Sequence, residues 1–242
     1  EKIDNVEQAL ERAKKNGVKE LIVQPTHLMK GKEYDELKET LDKHKASFEK
    51  LELAEPLLGE VGKDAEDVNA DKERVANLIV QASVTGGGFD SVQKAAQDGV
   101  AFVFLGHGTS HTAAISYSEM QSAMKKLGYA NVFIGTVEGE PEDTAVEAVI
   151  EAVKKAGYKK VTLRPMMVVA GDHAHNDMAG AEEDSWVQQF LNAKSFDRIE
   201  TQIEGLGGVY DIQKLYAEHT QAAINAANTA TEETTAAETK AN

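Results

Sequence analysis

Two histidines and two aspartates crowd into one short segment of the chain, GDHAHND at residues 171–177. The preceding segment KKVTLRPMMVV is largely apolar, and the pattern predicts a buried strand over 159–173 with His173 at its carboxyl end. An imidazole in that position suits binding of a borderline divalent ion or proton transfer near neutral pH. Because the chain has only seven histidines, this segment is a candidate functional site.

Two other apolar strands are followed by groups of the same chemistry. His107 comes directly after FVFLG, and Glu138 follows VFIGTV. Ligands of open parallel sheets bind beyond the carboxyl ends of the strands, so we expect both side chains and His173 to face one cleft. Two imidazoles and a carboxylate suit Co, Fe, Ni or Zn, and they also suit proton transfer.

Each of these residues also has a purely structural interpretation. A single histidine after a strand is more often structural than functional, and GHG or VEG alone is a weak motif. The acidic residues that follow His173, including Asp177, could guide a cation inward. They could equally cap the helix predicted near residue 184 and interact with its dipole. What favours a shared site is the common position of the three residues after strands.

Two further histidines are candidates for contact with a substrate. His27 ends the short predicted strand LIVQPTH and could face the same cleft. His111 is expected to begin a helix, where its side chain would cap that helix or line the cleft.

The elements that must position these side chains alternate between helix and strand, and the central strands are apolar throughout. This pattern predicts an α/β fold in which helices cover both faces of parallel sheets. The first element, residues 3–13, is predicted to be helical with no strand before it. Either an opening strand and helix are lacking or the fold opens on a helix.

Composition excludes several classes of protein. The chain has 242 residues, a net charge of −15 and no cysteine. The acidic balance argues against a nucleic-acid partner, and the missing thiols exclude disulfides and thiolate metal sites. No apolar run approaches the ~18 residues of a membrane span. We expect a cytoplasmic location, with export as the alternative; a homo-oligomer is compatible with the sequence.

Three segments resemble the anaerobic-type sirohydrochlorin cobaltochelatases, which belong to the class II chelatase group with the ferrochelatases. These segments are FLGHGTSH, GTVEGEPE and PMMVVAGDHAHNDMAGAEEDSW, and the resemblance extends over residues 1 to about 224. It implies insertion of Co(II), with Fe, Ni or Zn as other metals, into sirohydrochlorin, a cobalamin precursor, without an organic cofactor. By motif, His107, Glu138 and His173 would be the residues that bind the metal or handle protons.

The resemblance also implies two similar α/β domains. We expect an N-terminal domain over 1–97, completed by a C-terminal helix at 209–227, and a C-terminal domain over 98–208. The family usually opens with a strand and an SFGT-like turn that this chain lacks, so the first domain is expected to be incomplete. The Thr/Ala/Glu-rich tail at 228–242 is expected to be disordered.

Metal insertion must remove two pyrrole protons and strip water from the ion. We assign His107 and His173 as metal ligands, with His173 also a candidate base, and Glu138 as proton acceptor or third ligand. Because the macrocycle carries carboxylates and the protein is acidic, binding needs local donors, and Arg164 is a candidate. A solvated surface role is the alternative for Arg164.

Two other functional classes fit part of the pattern. A tetrapyrrole or metal carrier would bind without inserting. A zinc hydrolase also uses two histidines and a glutamate, but the chain has no HExxH motif.

Overall fold

The computed structural model describes residues 3–241, with side chains described for residues 3–229. The chain forms two compact units. The small unit comprises Glu1–Leu57 and Lys214–Asn242, and the large unit comprises Leu58–Gln213. Among the described residues, no helix has the length and apolar character needed to cross a membrane.

The small unit contains a two-stranded parallel sheet. Its elements are α1 (Val6–Lys15), β1 (Glu20–Val23), α2 (Lys32–His44), β2 (Lys50–Leu53) and the greater part of α8 (Tyr210–Ala241). The two strands pair in a register that places Leu21 opposite Leu51. Asn5 caps α1 by accepting a hydrogen bond from the backbone N–H of Gln8, and the buried face of α1 contributes Leu10 to the core.

The large unit contains a four-stranded sheet. Its strands are β3 (Val100–Gly106), β4 (Val132–Thr136), β5 (Lys160–Pro165) and β6 (Arg198–Thr201). They are all parallel and lie in the order β4-β3-β5-β6. The helices are α3 (Ala70–Gly86), α4 (Val92–Gln97), α5 (Ile115–Lys126), α6 (Val146–Lys155) and α7 (Trp186–Asn192).

Strand β3 is buried along its whole length, as an inner strand of a parallel sheet must be. Its residues Ala101, Val103 and Leu105 share one core cluster with side chains of α6 and α7. Successive strand residues point to opposite faces, so Phe102 and Phe104, which are also fully buried, pack on the other face. The prediction of an α/β fold with parallel sheets flanked by helices is confirmed.

In the division into units, α3 belongs to the large unit, and the domain boundary expected at residue 97 stays a prediction. Helix α3 packs on α5, and Lys72 of α3 forms a fully buried ion pair with Glu119 of α5 at 3.0 Å. The small unit also includes residues 214–242, and the completion of an N-terminal domain by a helix at 209–227 stays a prediction. The contacts of α3 with α5 could not be read from the order of elements.

Two predicted elements differ in extent. The strand predicted over 159–173 ends at Pro165, because Pro165 has no N–H to donate and the neighbouring strand β6 has already ended opposite Leu163. Helix α8 extends to Ala241, since no glycine or proline interrupts residues 210–241. The side chains beyond residue 229 lie outside the described part, so the disorder expected for the tail at 228–242 stays a prediction.

Candidate active site

His107 lies where β3 ends, as predicted from the sequence. The preceding Gly106 leaves room for the ring of Tyr117, since a Cβ at position 106 would lie 2.1 Å from that ring. Tyr117 Oη in turn accepts a hydrogen bond from the backbone N–H of Gly108. The Nδ1 atom of His107 lies 2.9 Å from the carbonyl oxygen of Gly108. A carbonyl can only accept, so Nδ1 carries the proton and Nε2 is left to face other groups.

Glu138 lies two residues beyond β4, also as predicted. Its backbone N–H donates to the carbonyl oxygen of His107 at 2.9 Å, which ties the two loops together. Gly108 permits this approach because it adopts a positive φ of 93° and a Cβ there would lie 2.8 Å from Glu138 Cβ. The side chains meet with His107 Nε2 3.9 Å from Glu138 Oε1.

His173 reaches the same place by a different route from the one predicted. It does not end a strand: residues 166–172 leave the sheet, and His173 begins a π-helical segment, His173–Met178. After β5, the carbonyls of Met167 and Val168 accept hydrogen bonds from the N–H groups of Leu206 and Gly207. These two hydrogen bonds hold the segment between β5 and the helical segment against residues 206–207, where no strand pairs with it.

The helical segment is anchored on one side and open on the other. Ala174 and Met178 are fully buried beneath it, whereas His173 and Asp177 are partly exposed. Their side chains meet, with His173 Nδ1 2.5 Å from Asp177 Oδ2. π-helical turns are rare and occur frequently at functional sites.

The structure brings His107 and His173 into direct contact. Their ring centroids are 4.4 Å apart and the ring planes are inclined by 83°. Glu138 contacts His107, so the three residues predicted to share a site are neighbours. Their side chains are about half exposed, at 49% for His107, 54% for Glu138 and 44% for His173.

The three side chains as they stand are not arranged to bind a metal ion together. Among the described residues, no group of three or more histidine, aspartate and glutamate side chains is close enough together to hold a metal ion. Ligand atoms bound at about 2.0–2.2 Å to a tetrahedral ion lie roughly 3.4 Å apart. The 3.9 Å between His107 Nε2 and Glu138 Oε1 is longer than this, so binding of an ion by both groups requires a movement of the side chains.

The predicted substrate-binding residues lie in three different environments. His111 caps the short 3-10 helix Thr112–Ala114, with Nδ1 accepting from the N–H of Ala113 at 3.2 Å, which is the capping role that the sequence allowed. His27 belongs to the small unit, where its carbonyl accepts hydrogen bonds from Tyr216 Oη and from the N–H of Leu57.

Arg164 lies within β5 and is only 2% exposed, so the surface role considered for it is wrong. Its guanidinium donates to Gln202 Oε1 at 3.0 Å and to Glu204 Oε2 at 3.1 Å. Burial lowers the pKa of Arg164, and the neighbouring carboxylate of Glu204 opposes that shift. Arg164 and Glu204 border a cavity of about 810 Å³, which is otherwise lined mainly by small and apolar residues, among them Val168 and Gly205.

Sequence reasoning missed two residues of this site. Tyr117 accepts a hydrogen bond from the N–H of Gly108, next to His107. The sequence around Tyr117 predicts only a helix and does not indicate this contact. Asp177 bonds to His173, but its spacing of four residues has meaning only if the segment is helical. Because the sequence pattern predicted a strand up to His173, Asp177 was grouped with residues that cap the next helix. That cap is supplied by Ser185 instead, which accepts from the N–H of Gln188.

Comparison with known proteins gives a consistent result. The family model described as cobalt chelatase (CbiK) matches residues 1–225. The sirohydrochlorin cobaltochelatase of Salmonella typhimurium is 29% identical over 225 residues, which cover 93% of this chain and 76% of the relative. Sirohydrochlorin cobaltochelatase CbiKC of Nitratidesulfovibrio vulgaris is 27% identical over 93% of this chain and 72% of its own length.

One solved structure also aligns with the chain. It is the periplasmic binding protein component of an arabinose ABC transporter from Shewanella sp. ANA-3, which covers 90% of this chain and is itself covered to 82%. With 15% identity and a TM-score of 0.28, this match says nothing about function or fold.

Proposed function

The chain belongs to the cobalt chelatase (CbiK) family, and we propose that it inserts Co(II) into sirohydrochlorin, with His107, His173 and Glu138 as the reacting residues. The observation that carries this proposal is the contact between the two imidazole rings, with Glu138 beside one of them. The relatives named above are sirohydrochlorin cobaltochelatases. The choice of cobalt as the metal and of sirohydrochlorin as the macrocycle rests on their names.

The overall reaction exchanges two protons for one divalent ion. The ion enters with its water ligands, two pyrrole N–H bonds break, and four macrocycle nitrogens replace the water and protein ligands. The protein must therefore hold the ion by neutral or anionic groups that exchange readily, and it must take up protons. Imidazole and carboxylate groups do both at neutral pH.

The two histidines would bind the incoming ion through Nε2. In His107 the Gly108 carbonyl holds the proton on Nδ1, and in His173 the Asp177 carboxylate does the same. Each Nε2 lone pair is then available to Co(II), for which imidazole is a suitable ligand. Other divalent ions that accept imidazole, such as Fe, Ni and Zn, would enter the same position.

Glu138 would complete the coordination or accept a pyrrole proton. Its carboxylate lies beside His107 Nε2 and is half exposed, so it can turn from the ion towards the macrocycle. Proton transfer requires an approach of about 2.6–3.2 Å between heavy atoms, directly or through water. His173 is the second candidate base once the macrocycle has taken the ion from it.

Arg164 would receive a carboxylate of the substrate. Its guanidinium is held by Glu204, whose own side chain is 72% exposed. If Glu204 turns into solvent, a substrate carboxylate can take its place at the cavity and form the same charge-assisted hydrogen bond. Contacts of His111 and His27 with the substrate stay predictions, as does a cytoplasmic location of the enzyme.

The test is the absorbance change of sirohydrochlorin with Co(II) in the presence of the purified protein. We expect the wild type to accelerate insertion and His173→Ala to lose this acceleration. His175→Ala is the matched control, because His175 lies two residues away on the same segment with its side chain exposed. Tight macrocycle binding without acceleration in the wild type would instead identify a tetrapyrrole carrier.

A further inference from the structure

We propose that Asp177 is a positioning residue that holds the His173 ring in one orientation, with its Nδ1 protonated and its Nε2 left as a lone pair. The part of this inference that concerns cobalt rests on the proposed function. The part that concerns the ring and its proton depends only on the geometry of the site.

The first argument is the hydrogen bond itself. His173 Nδ1 and Asp177 Oδ2 are 2.5 Å apart, well within hydrogen-bond distance, and a bond from an imidazole N–H to a carboxylate is charge-assisted. An ionised carboxylate has only acceptor sites, so the proton belongs to Nδ1. A neutral His173 is then held as the tautomer whose Nε2 is a lone pair.

The second argument is the direction of the ring. A half-turn about the Cβ–Cγ bond of His173 would place a carbon where Nδ1 now lies and break the bond to Asp177. The bond therefore selects one of two ring orientations. The half-turn would leave the ring plane and centroid where they are, so the contact with the ring of His107 at 4.4 Å and 83° exists in both orientations, and the bond to Asp177 is what distinguishes them.

The third argument is the comparison with His107. There, the group that holds Nδ1 is the carbonyl of Gly108, which belongs to the backbone and cannot be removed by substitution. Both histidines are thus fixed through Nδ1, one by the main chain and the other by a side chain. Metal-bound histidines almost always donate their second N–H to such a partner, which fixes tautomer and orientation.

The capping function considered for Asp177 does not account for its position. Helix α7 is capped by Ser185, whose hydroxyl accepts from the N–H of Gln188 at 3.3 Å. Asp177 lies near the end of its own helical segment, His173–Met178, where a negative charge gains nothing from the helix dipole. Its carboxylate is instead directed at His173.

The first test observes the proton directly in the metal-free protein. Long-range ¹H–¹⁵N correlation spectra, recorded at about pH 8.5 where an unperturbed imidazole is neutral, distinguish the two tautomers of His173. We expect wild-type His173 to be protonated on Nδ1 and Asp177→Ala to show a mixture of tautomers. Asp172→Asn is the control, because Asp172 is exposed on the same segment and forms no side-chain cap.

The second test measures binding of Co(II) alone by titration. Loss of such an outer partner costs roughly 10–100-fold in metal affinity, which we expect for Asp177→Ala and not for Asp172→Asn. Circular dichroism of each variant checks that the helical segments remain. Asp177→Glu, which keeps the carboxylate, is expected to recover part of the affinity.

The outcomes separate this inference from the proposed function. A wild-type His173 protonated on Nε2, or unchanged tautomers in Asp177→Ala, would overturn the positioning role whatever the enzyme does. A wild type that fails to insert cobalt while His173 keeps its Nδ1 proton would overturn the proposed function alone. Unchanged Co(II) affinity in Asp177→Ala would remove the link between Asp177 and the metal.

Discussion

The imidazole rings of His107 and His173 are 4.4 Å apart although 66 positions separate the two residues in the chain. His107 comes directly from β3, whereas His173 follows a loop of seven residues after β5. These strands are neighbours in the sheet, so their carboxyl ends deliver both chain segments to one edge. The contact therefore depends on two features. The strands β3 and β5 are parallel neighbours, and the helical segment begins at His173 close to their carboxyl ends.

Gly108 is expected to be essential for the position of Glu138. In Gly108→Ala, the added Cβ would lie 2.8 Å from Glu138 Cβ, and the positive φ of 93° would add backbone strain of about 1–3 kcal/mol. Gly157→Ala is the matched control, because Gly157 also has a positive φ but has no atom within 4 Å of the added Cβ. Both variants should lose thermal stability, and only Gly108→Ala should lose chelatase activity.

The proposed exchange of Glu204 for a substrate carboxylate predicts a change in KM. Glu204→Gln weakens the group that competes for Arg164, so we expect KM for sirohydrochlorin to fall by about three- to tenfold, since charge-assisted bonds are about twice as strong as neutral ones. Glu200→Gln, at a neighbouring exposed position that pairs with Arg198, is the control. An unchanged KM in Glu204→Gln would count against the role of Arg164 in binding.

Much of the site could be predicted from the sequence because it depends on parallel strands. The apolar segments before His107 and Glu138 predicted strands that end where the structure ends them, within two residues. His173 was assigned to the site for a partly wrong reason. The apolar residues after Pro165 predicted a longer strand, yet only Met166 still bonds to β3, through its N–H to the carbonyl of Leu105.

The packing of α3 on α5 could not be predicted from the pattern of elements. Whether α3 packs on the first or the second sheet depends on side-chain contacts between distant segments. One of these contacts is a lysine–glutamate pair, Lys72 with Glu119, and charged residues on amphipathic helices are usually solvated.

Removal of one member of this pair is expected to destabilise the large unit strongly. Both side chains are 0% exposed, and Lys72 also donates to the carbonyls of Leu58 and Glu60. Lys72→Met would leave Glu119 buried without its partner, which costs about 3–5 kcal/mol in the free energy of unfolding. Lys154→Met breaks an exposed pair with Glu151 and should cost less than about 1 kcal/mol. Denaturant unfolding measures both, and equal losses would contradict the prediction.

Tyr216 gives the small unit a dependence on alkaline pH. Burial raises the pKa of Tyr216, whose hydroxyl donates to the carbonyl of His27 at 3.0 Å. Because the folded protein keeps this proton to higher pH than the unfolded chain does, the contribution to stability is complete below about pH 10 and is lost as the pH rises above it. Tyr216→Phe should be less stable near pH 8 and should show a shallower loss of stability above pH 10. Parallel pH profiles would contradict this.

The most direct test of the joint action of the two histidines is a double-mutant cycle on the rate of Co(II) insertion. We predict that His107→Ala and His173→Ala each reduce kcat/KM by about 100-fold or more, and that the double variant is little worse than either one. Residues that act as a unit behave in this non-additive way. If the two losses multiply in the double variant, or if either single variant retains wild-type activity, the histidines do not act on one ion and the account of the site is wrong.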